Sequence, residues 1–413
     1  MNTNRGGPVV ALDIGASKVC CFIAQRQNGR WKVTGIGNQI SGGMKNGNVT
    51  DMDTVEASVR AAVDAAERMA EQTVRDVYVS FSGGHQESIN YHVDVAINGH
   101  AVSERDLDAV RDPAHAPALG EGREILHILP ITYGIDGDDG IRDPRGMYGN
   151  NLGVDLHLIT NQMAAARNLR IAVEKCHLKV AGFVSSALAS GLGSLVDDER
   201  NLGVALVDMG GGTTKIGIFH EGTMIHASSV PVGGAHVSSD IARGLSTSLA
   251  NAERLKTLYG NVMVAPADDG EMIDVQRLGE SGGDNIDSIP LSLLSGIIRP
   301  RIEETLELVR ERIETSGFEK LVGRRVVLTG GAAMLQGMPQ LAHQILDKQV
   351  RIGRPRGIGG LAEVTSGPAF SACAGLLNYV ARFGAERVAR PAEAPPVVQG
   401  PLKRAARWLR ENF

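Results

Sequence analysis

The 413-residue chain is poor in several features that would place it in a particular protein class. Its four cysteines, Cys20, Cys21, Cys176 and Cys373, show no C-x-x-C spacing, which favours packing roles in a reducing compartment over a disulfide framework. A net charge of −5 provides no broad cationic surface, so nucleic acid is not an expected partner. No apolar run approaches the roughly 20 residues of a membrane-spanning helix, and no secretory signal precedes the first strand. We therefore expect the body of the protein to be cytoplasmic.

The common phosphate-binding motifs are also absent. The sequence contains neither G-x-x-x-x-G-K-[ST] nor a G-x-G-x-x-G that follows a strand. Glycine clusters instead between strand-like runs in "VVALDIGASKVCCFIA" (9–24) and "ALVDMGGGTTKIGIF" (205–219). Both stretches consist of a strand, Asp-x-Gly, small polar residues and a second strand, and they lie nearly half the chain apart. This repetition predicts an internal duplication.

The two predicted hairpins have the composition of a phosphate clamp. Glycines let backbone N–H groups approach phosphate oxygens, hydroxyls add donors, and Lys18 adds a positive charge. Asp13 and Asp208 end their strands, where a carboxylate can hold a hydrated Mg²⁺ ion. Either hairpin alone could be a tight turn with an exposed aspartate. Two matched copies predict that phosphates are held between them.

A third glycine cluster lies in "RRVVLTGGAAMLQGMPQLAHQIL" (325–346). A β-branched strand leads into Gly330 and Gly331 and then into a helical pattern, which brings a loop backbone against a flat ligand or a phosphate. Glu253 and Lys256 lie three residues apart on one face of the helix predicted in "NAERLKTLYG". A solvated ion pair would explain these two residues equally well.

In this order, the motifs resemble the superfamily of actin, sugar kinases and chaperone ATPases. The resemblance includes two connecting helices, "GFVSSALASGLGSL" (182–195) and "TSGPAFSACAGLLNYV" (365–380). It implies an actin-like α/β fold of two duplicated domains around a nucleotide cleft. The phosphates and Mg²⁺ would contact Asp13, Gly15, Ser17, Lys18, Asp208, Gly210, Gly211, Gly212, Thr213 and Thr214. The rest of the nucleotide would lie near Gly233, Gly234, Glu253, Lys256, Gly330, Gly331 and Ala332.

The first connecting helix departs from the pattern of fast ATPases. Such relatives place an acid or glutamine in or near this helix to orient the attacking water. Residues 183–195 offer only serines, glycines and apolar residues. We therefore expect ATP hydrolysis to be slow or absent.

An insertion at 84–158 resembles subdomain 1C of the FtsA family of bacterial cell-division proteins. Strand-like runs such as "YHVDVAI" and "EILHILPITYGI" enclose one helical segment, "SERDLDAV", with Ser103 as its predicted N-cap. The predicted subdomains are 1A (1–83, 159–193 and 376–389), 1C (84–158), 2A (194–236 and 320–375) and 2B (237–319). A linker (390–400) and a terminal helix (401–413) follow.

The C-terminal segment "PLKRAARWLRENF" predicts an amphipathic helix after the Pro-rich linker "RPAEAPPVVQG". Its apolar stripe and its opposite basic face suit an anionic membrane surface, with Trp408 at the boundary. The residues assigned to the membrane are Leu402, Lys403, Arg404, Ala405, Arg407, Trp408, Leu409, Arg410 and Phe413. FtsA proteins also end in a linker and such a helix. The alternative is a helix that docks on its own core.

The FtsA resemblance implies an ATP-binding protein that polymerises on the cytoplasmic face of the membrane at the septum. It would tether the ring protein FtsZ, whose C-terminal peptide would dock on subdomain 2B at Arg301, with Arg299 as a weaker candidate. Later division proteins would bind through the 1C insertion.

Two alternative functions stay open. A pilus-assembly scaffold shares the insertion but generally lacks the basic tail, and a small-molecule kinase would need a general base that is not visible.

Overall fold

The computed structural model describes residues 7–27, 30–263, 270–278 and 286–384. The predicted linker and amphipathic helix, at 390–413, lie outside the described residues. Within the described ranges, no helix has both the length and the apolar content that a membrane span requires. The four cysteines are free, and three of them are buried, as expected for packing residues.

Two five-stranded sheets of the same topology form the body of the described chain. In each sheet, an antiparallel hairpin is extended by a third strand on one side and by two parallel strands on the other. The first sheet contains β1 (Val9–Ile14), β2 (Lys18–Gln27), β3 (Arg30–Ile40), β6 (Asp76–Phe81) and β11 (Lys179–Ser185). The second contains β12 (Val204–Met209), β13 (Thr214–His220), β14 (Thr223–Val230), β17 (Arg325–Thr329) and β18 (Gln349–Ile352). The predicted duplication is therefore confirmed.

Helices cover both sheets. The first sheet packs against α1 (Met52–Ala70) and α3 (Met163–Glu174). Asp51 caps α1 by accepting the N–H groups of Asp53 and Thr54, and the buried face of α1 lies close to β3 because Gly35 and Gly37 carry no side chain there. The other α-helices in the described ranges are α2 (Glu104–Val110), α4 (Ser186–Ser194), α5 (Asp197–Leu202), α6 (Gly234–Gly244), α7 (Leu249–Tyr259), α8 (Leu291–Thr315), α9 (Glu319–Val322), α10 (Met338–Leu346) and α11 (Ser371–Phe383). Two short hairpins, β4 (Met44–Lys45) with β5 (Asn48–Val49) and β15 (Met272–Gln276) with β16 (Ile286–Pro290), complete the two domains.

The two connecting helices, α4 and α11, pack against each other between the sheets. A Cβ at Gly375 would lie 1.6 Å from the carbonyl oxygen of Ala189, so glycine is required for this approach. Both helices begin later than the sequence predicted. The first predicted segment starts inside β11, because Gly182 to Ser185 pair in parallel with β6. The second starts with short 3₁₀ turns before Ser371.

The insertion folds into a four-stranded antiparallel sheet with one helix. Its strand order is β7-β10-β8-β9, formed by Glu87–Ala96 (β7), Arg123–Ile135 (β8), Asp138–Ile141 (β9) and Asn151–Gln162 (β10). Ser103 lies at the N-cap of α2, as predicted, and its hydroxyl donates to Asp106 at 2.7 Å. The predicted small α+β architecture is therefore confirmed.

The insertion is bound to the second sheet through the backbone of β14. Nδ1 of His157 donates to the carbonyl oxygen of Met224 at 2.7 Å, and its Nε2 accepts from the hydroxyl of Ser88. Asn90 donates to the carbonyl oxygen of Ile225 at 3.2 Å. The insertion therefore contacts both duplicated domains, although it is part of the first in sequence.

A second buried histidine, His127, joins the insertion to the first connecting segment. Its Nε2 accepts the backbone N–H of Ser185 at 3.0 Å, and its ring lies against Tyr379. Because a backbone N–H can only donate, the bond from Ser185 requires the neutral ring of His127. Burial lowers the pKa of His127 to about 3 and that of His157 to about 4.

We predict that acid weakens the fold through these two histidines. Their folded pKa values lie below the unfolded value of about 6.5, so the unfolded chain binds more protons and stability falls as the pH drops below 6.5. Each histidine should cost on the order of 2 kcal/mol at pH 5. Thermal melts at pH 7 and pH 5 should show a smaller decrease in melting temperature for His157→Gln than for the original protein. Equal decreases in both proteins would contradict the prediction.

Candidate functional site

A cavity of about 300 Å³ lies between the two duplicated domains. The turns of the β1–β2 and β12–β13 hairpins form its floor, and α7 and the turn after β17 form its sides. This volume is at the lower end of the range for small-molecule sites.

Most of the predicted nucleotide-binding residues are brought together here. Those that line the cavity are Asp13, Gly15, Ser17, Lys18, Asp208, Gly210, Gly211, Gly212, Thr213, Gly234, Glu253, Lys256, Gly330, Gly331 and Ala332. Thr214 and Gly233 do not line it. Thr214 is buried, and its hydroxyl donates to the carbonyl oxygen of Val232 at 2.8 Å. Gly233 packs against the carbonyl oxygens of Gly210 and Gly211, so both residues support the second hairpin from behind.

The two hairpins touch each other across the cavity floor, which explains part of the glycine run. A Cβ built on Gly211 would lie 1.9 Å from the hydroxyl oxygen of Ser17. A Cβ built on Gly212 would lie 3.0 Å from the Cβ of Ala16. A side chain at Gly211 would require either the Ser17 side chain or the two hairpins to shift.

The two aspartates are held in place by serine hydroxyls. Ser80 donates to Oδ1 of Asp13, and Ser190 of α4 donates to Oδ2 of Asp208 at 2.7 Å. Each carboxylate keeps lone pairs for water, and Mg²⁺ usually retains several waters, so the pair fits a hydrated Mg²⁺ ion beside phosphates. Among the described residues, no cluster of three or more His, Cys, Asp or Glu side chains could ligate a metal directly.

The predicted lysines at the cavity are already bonded to the protein. Lys18 donates to the carbonyl oxygen of Ala369 and lies 4.5 Å from the ring centroid of Phe370. Lys256 donates to Glu253 at 2.7 Å, and also to the Gly234 carbonyl and the Ser238 hydroxyl. The ion pair between Glu253 and Lys256 is therefore present, and it lies at the cavity.

The sequence interpretation missed a third lysine, Lys215. It lines the cavity, and its Nζ lies 3.9 Å from Oδ2 of Asp208. The two residues face each other in the register of the second hairpin, so their spacing across the glycine turn could have identified the pair. The other lining residues missed are Ala16, Gly47, Ser82, Thr257, Gly260, Met334, Leu335, Pro368, Ala369 and Ala372.

The two arginines predicted to bind a partner have carboxylate neighbours on the protein itself. Arg301 of α8 forms a two-bonded pair with Asp240 of α6, at 2.6 and 3.2 Å, and also contacts Glu304. The hydrogen bonds with Asp240 raise the pKa of Arg301. Arg299 pairs with Glu303 at 2.7 Å.

Comparison with known proteins gives the family. The family model described as "Cell division protein FtsA" matches residues 205–375, and that described as "SHS2 domain inserted in FTSA" matches residues 83–160. A relative named cell division protein FtsA, from Rhizobium meliloti (strain 1021), is 45% identical over 100% of this chain and 96% of its own length. This chain belongs to the FtsA family. The insertion docked on β14 is thus the SHS2 domain of FtsA proteins.

Solved structures show the actin-like ATPase fold. The PilM–PilN type IV pilus biogenesis complex contains a chain with a TM-score of 0.63 and 16% identity, which covers 93% of this chain and 99% of its own length. MreB5 of Spiroplasma citri, solved bound to ADP, has a TM-score of 0.55 and 13% identity, and covers 92% of this chain and 98% of its own. At these identities the likeness concerns the fold alone, which agrees with the predicted fold class.

We predict that Gly211→Ala lowers ATP affinity about tenfold or more, a loss of about 1.4 kcal/mol. The added Cβ overlaps the Ser17 hydroxyl, so Ser17 must turn or the hairpins must move apart, and either change alters the turns that would hold the phosphates. Gly367→Ala is the matched control, because a Cβ there has open space and the backbone φ is −73°. Equilibrium dialysis with labelled ATP measures the ATP affinity of both variants and of the original protein. Equal affinities in the two variants would show that contact between the hairpins is not needed for binding.

Proposed function

We propose that this FtsA-family protein binds ATP with Mg²⁺ between its two glycine hairpins and polymerises on the cytoplasmic face of the membrane at the division septum. There it tethers the FtsZ ring and helps to recruit later division proteins through the SHS2 insertion. One observation carries the nucleotide part of the proposal. Two carboxylates, two glycine turns and three lysines from both domains converge on one cavity.

ATP in this cavity would contact both domains and hold them together. Backbone N–H groups of the two turns would bind the phosphates, Asp13 and Asp208 would hold the waters of Mg²⁺, and the turn at Gly330 would border the adenosine. Polymer contacts would then depend on the bound nucleotide, because it fixes the relative position of the domains.

We expect ATP to be hydrolysed slowly or not at all. The residues of α4 are "SALASGLGS", and the one hydroxyl of that helix that reaches the site, that of Ser190, donates to Asp208. No side chain of this helix carries a carboxylate or amide group that could orient an attacking water. ATP binding, rather than turnover, would then set the state of the polymer.

Membrane attachment is proposed from the sequence of the tail. The apolar stripe of Leu402, Leu409 and Phe413 and the basic face opposite suit the boundary of an anionic bilayer. One helix of this size binds only marginally, and neighbouring helices on a polymer would raise each other's effective concentration. Binding should therefore rise steeply with polymerisation.

We predict that removal of residues 402–413, or Trp408→Glu, releases the protein from vesicles without lowering its melting temperature. A charge placed at the apolar boundary is expelled from the bilayer, and the linker predicted at 390–400 would separate the tail from the core. Trp408→Phe is the matched control and should still pellet with vesicles. The measurement is sedimentation with anionic vesicles, alongside thermal melts. Pelleting of the truncated form, or a melting temperature lower by many degrees, would rule out a membrane anchor.

Docking of the FtsZ C-terminal peptide on subdomain 2B is proposed at Arg301. Its side chain is 29% exposed while it is paired with Asp240 and Glu304. An acidic peptide group could share this cation with Asp240. Arg299, paired with Glu303 along the same helix, is the weaker candidate.

We predict that Arg301→Glu weakens FtsZ-peptide binding about 30-fold or more, because it replaces attraction with repulsion, and leaves ATP affinity unchanged. The exchange Asp240→Arg with Arg301→Glu restores an ion pair between α6 and α8 and serves as the control. Fluorescence anisotropy of a labelled peptide measures affinity. Unchanged affinity in Arg301→Glu would place the docking site elsewhere.

The double exchange then shows whether Arg301 contacts the peptide directly or only supports the structure of the docking site. Binding restored fully by the exchange, with the positive charge now at position 240, would mean that the pair supports the site structurally. Binding that stays weak would mean that the peptide requires the cation at position 301.

A further inference from the structure

We propose that Lys215 is a phosphate-binding residue that also neutralises Asp208, so that this site binds ATP with little dependence on Mg²⁺. The inference deepens the proposed ATP binding and rests on it. It concerns one side chain of the second hairpin and its two neighbours, Asp208 and Gly210.

The register of the hairpin places Lys215 beside Asp208. The two residues face each other across β12 and β13, so their side chains leave the sheet on the same side. Nζ of Lys215 lies 3.9 Å from Oδ2 of Asp208, and the side chains are only 16% and 7% exposed. At the equivalent place in the first hairpin, Asp13 faces Cys20, so only the second aspartate has a cation opposite it.

Gly210 provides the space through which Lys215 reaches the cavity. A Cβ built on Gly210 would lie 2.9 Å from Nζ of Lys215. The ammonium therefore passes directly beneath the glycine turn that would hold the phosphates. The same Cβ would lie 3.0 Å from the carbonyl oxygen of Thr213, so both the lysine and this backbone oxygen favour glycine at the first position of the run.

Lys215 also differs from the other lysines at the cavity in its bonding. Lys18 and Lys256 donate to protein oxygens, whereas no described residue offers the ammonium of Lys215 a hydrogen bond. An ammonium that is largely removed from water and lacks an acceptor is poised for an anionic ligand. The phosphate oxygens of ATP supply that acceptor without displacing a protein bond.

This charge arrangement predicts how binding depends on Mg²⁺. A carboxylate beside phosphates repels them unless a cation lies between, and Mg²⁺ normally has that role. Here the ammonium already lies beside Oδ2 of Asp208. ATP should therefore bind without the metal, and loss of Lys215 should make the site dependent on it.

The test measures ATP affinity by equilibrium dialysis with labelled ATP, in excess EDTA and in excess Mg²⁺. The original protein should bind with affinities that differ by less than about threefold between the two conditions. Lys215→Met should lose about tenfold to 100-fold in EDTA, the range for a charge-assisted hydrogen bond, and clearly less in Mg²⁺. Lys215→Arg should restore binding in EDTA. Lys320→Met, an exposed lysine of α9, is the matched control.

A second variant keeps the test independent of any misfolding of Lys215→Met. Gly210→Ala should displace the ammonium and lower affinity in EDTA, and its combination with Lys215→Met should be no weaker than Lys215→Met alone. Equal affinity of the original protein and Lys215→Met in EDTA would overturn this inference only. Absence of ATP binding to the original protein in both conditions would overturn the proposed function itself.

Discussion

The contact between the two glycine hairpins is the constraint on which the rest of the structure depends. A Cβ built on Gly211 would lie 1.9 Å from the hydroxyl oxygen and 3.0 Å from the Cβ of Ser17, so the two turns are in close contact. The cavity is formed because both turns end at the same place. Bound phosphates would add a second connection between the hairpins. A ligand that contacts both turns would thereby favour one relative position of the two domains.

The SHS2 insertion provides a second connection at some distance from the cavity. His157 joins it to β14 of the second domain, and His127 joins it to the segment that enters α4. β14 leads to Gly233 and Gly234, and Gly234 lines the cavity, so the strand that contacts the insertion continues directly to the cavity.

Local features of the site could be predicted from the sequence, whereas features that depend on register or on distant partners could not. Short sequence motifs predict the hairpins, the cap at Ser103 and the glycine turns, because the conformation of each depends on residues close to it in the chain. Residues 182–185 were assigned to a helix because a short apolar run fits either structure, and pairing with β6 decides it. Lys215 is an exception, because its spacing from Asp208 across the glycine turn already indicates that the two residues face each other. The pairing of Arg301 with Asp240 joins different helices, so no local pattern could reveal it.

The central claim is that one ATP molecule is held by both hairpins at once. Hydrogen exchange of backbone amides, measured with and without ATP, tests it most directly, because it reports on each turn separately. The account predicts slower exchange on ATP addition at both turns, residues 15–18 and 210–213, in the same protein. Protection of one turn alone, or of neither, would contradict it.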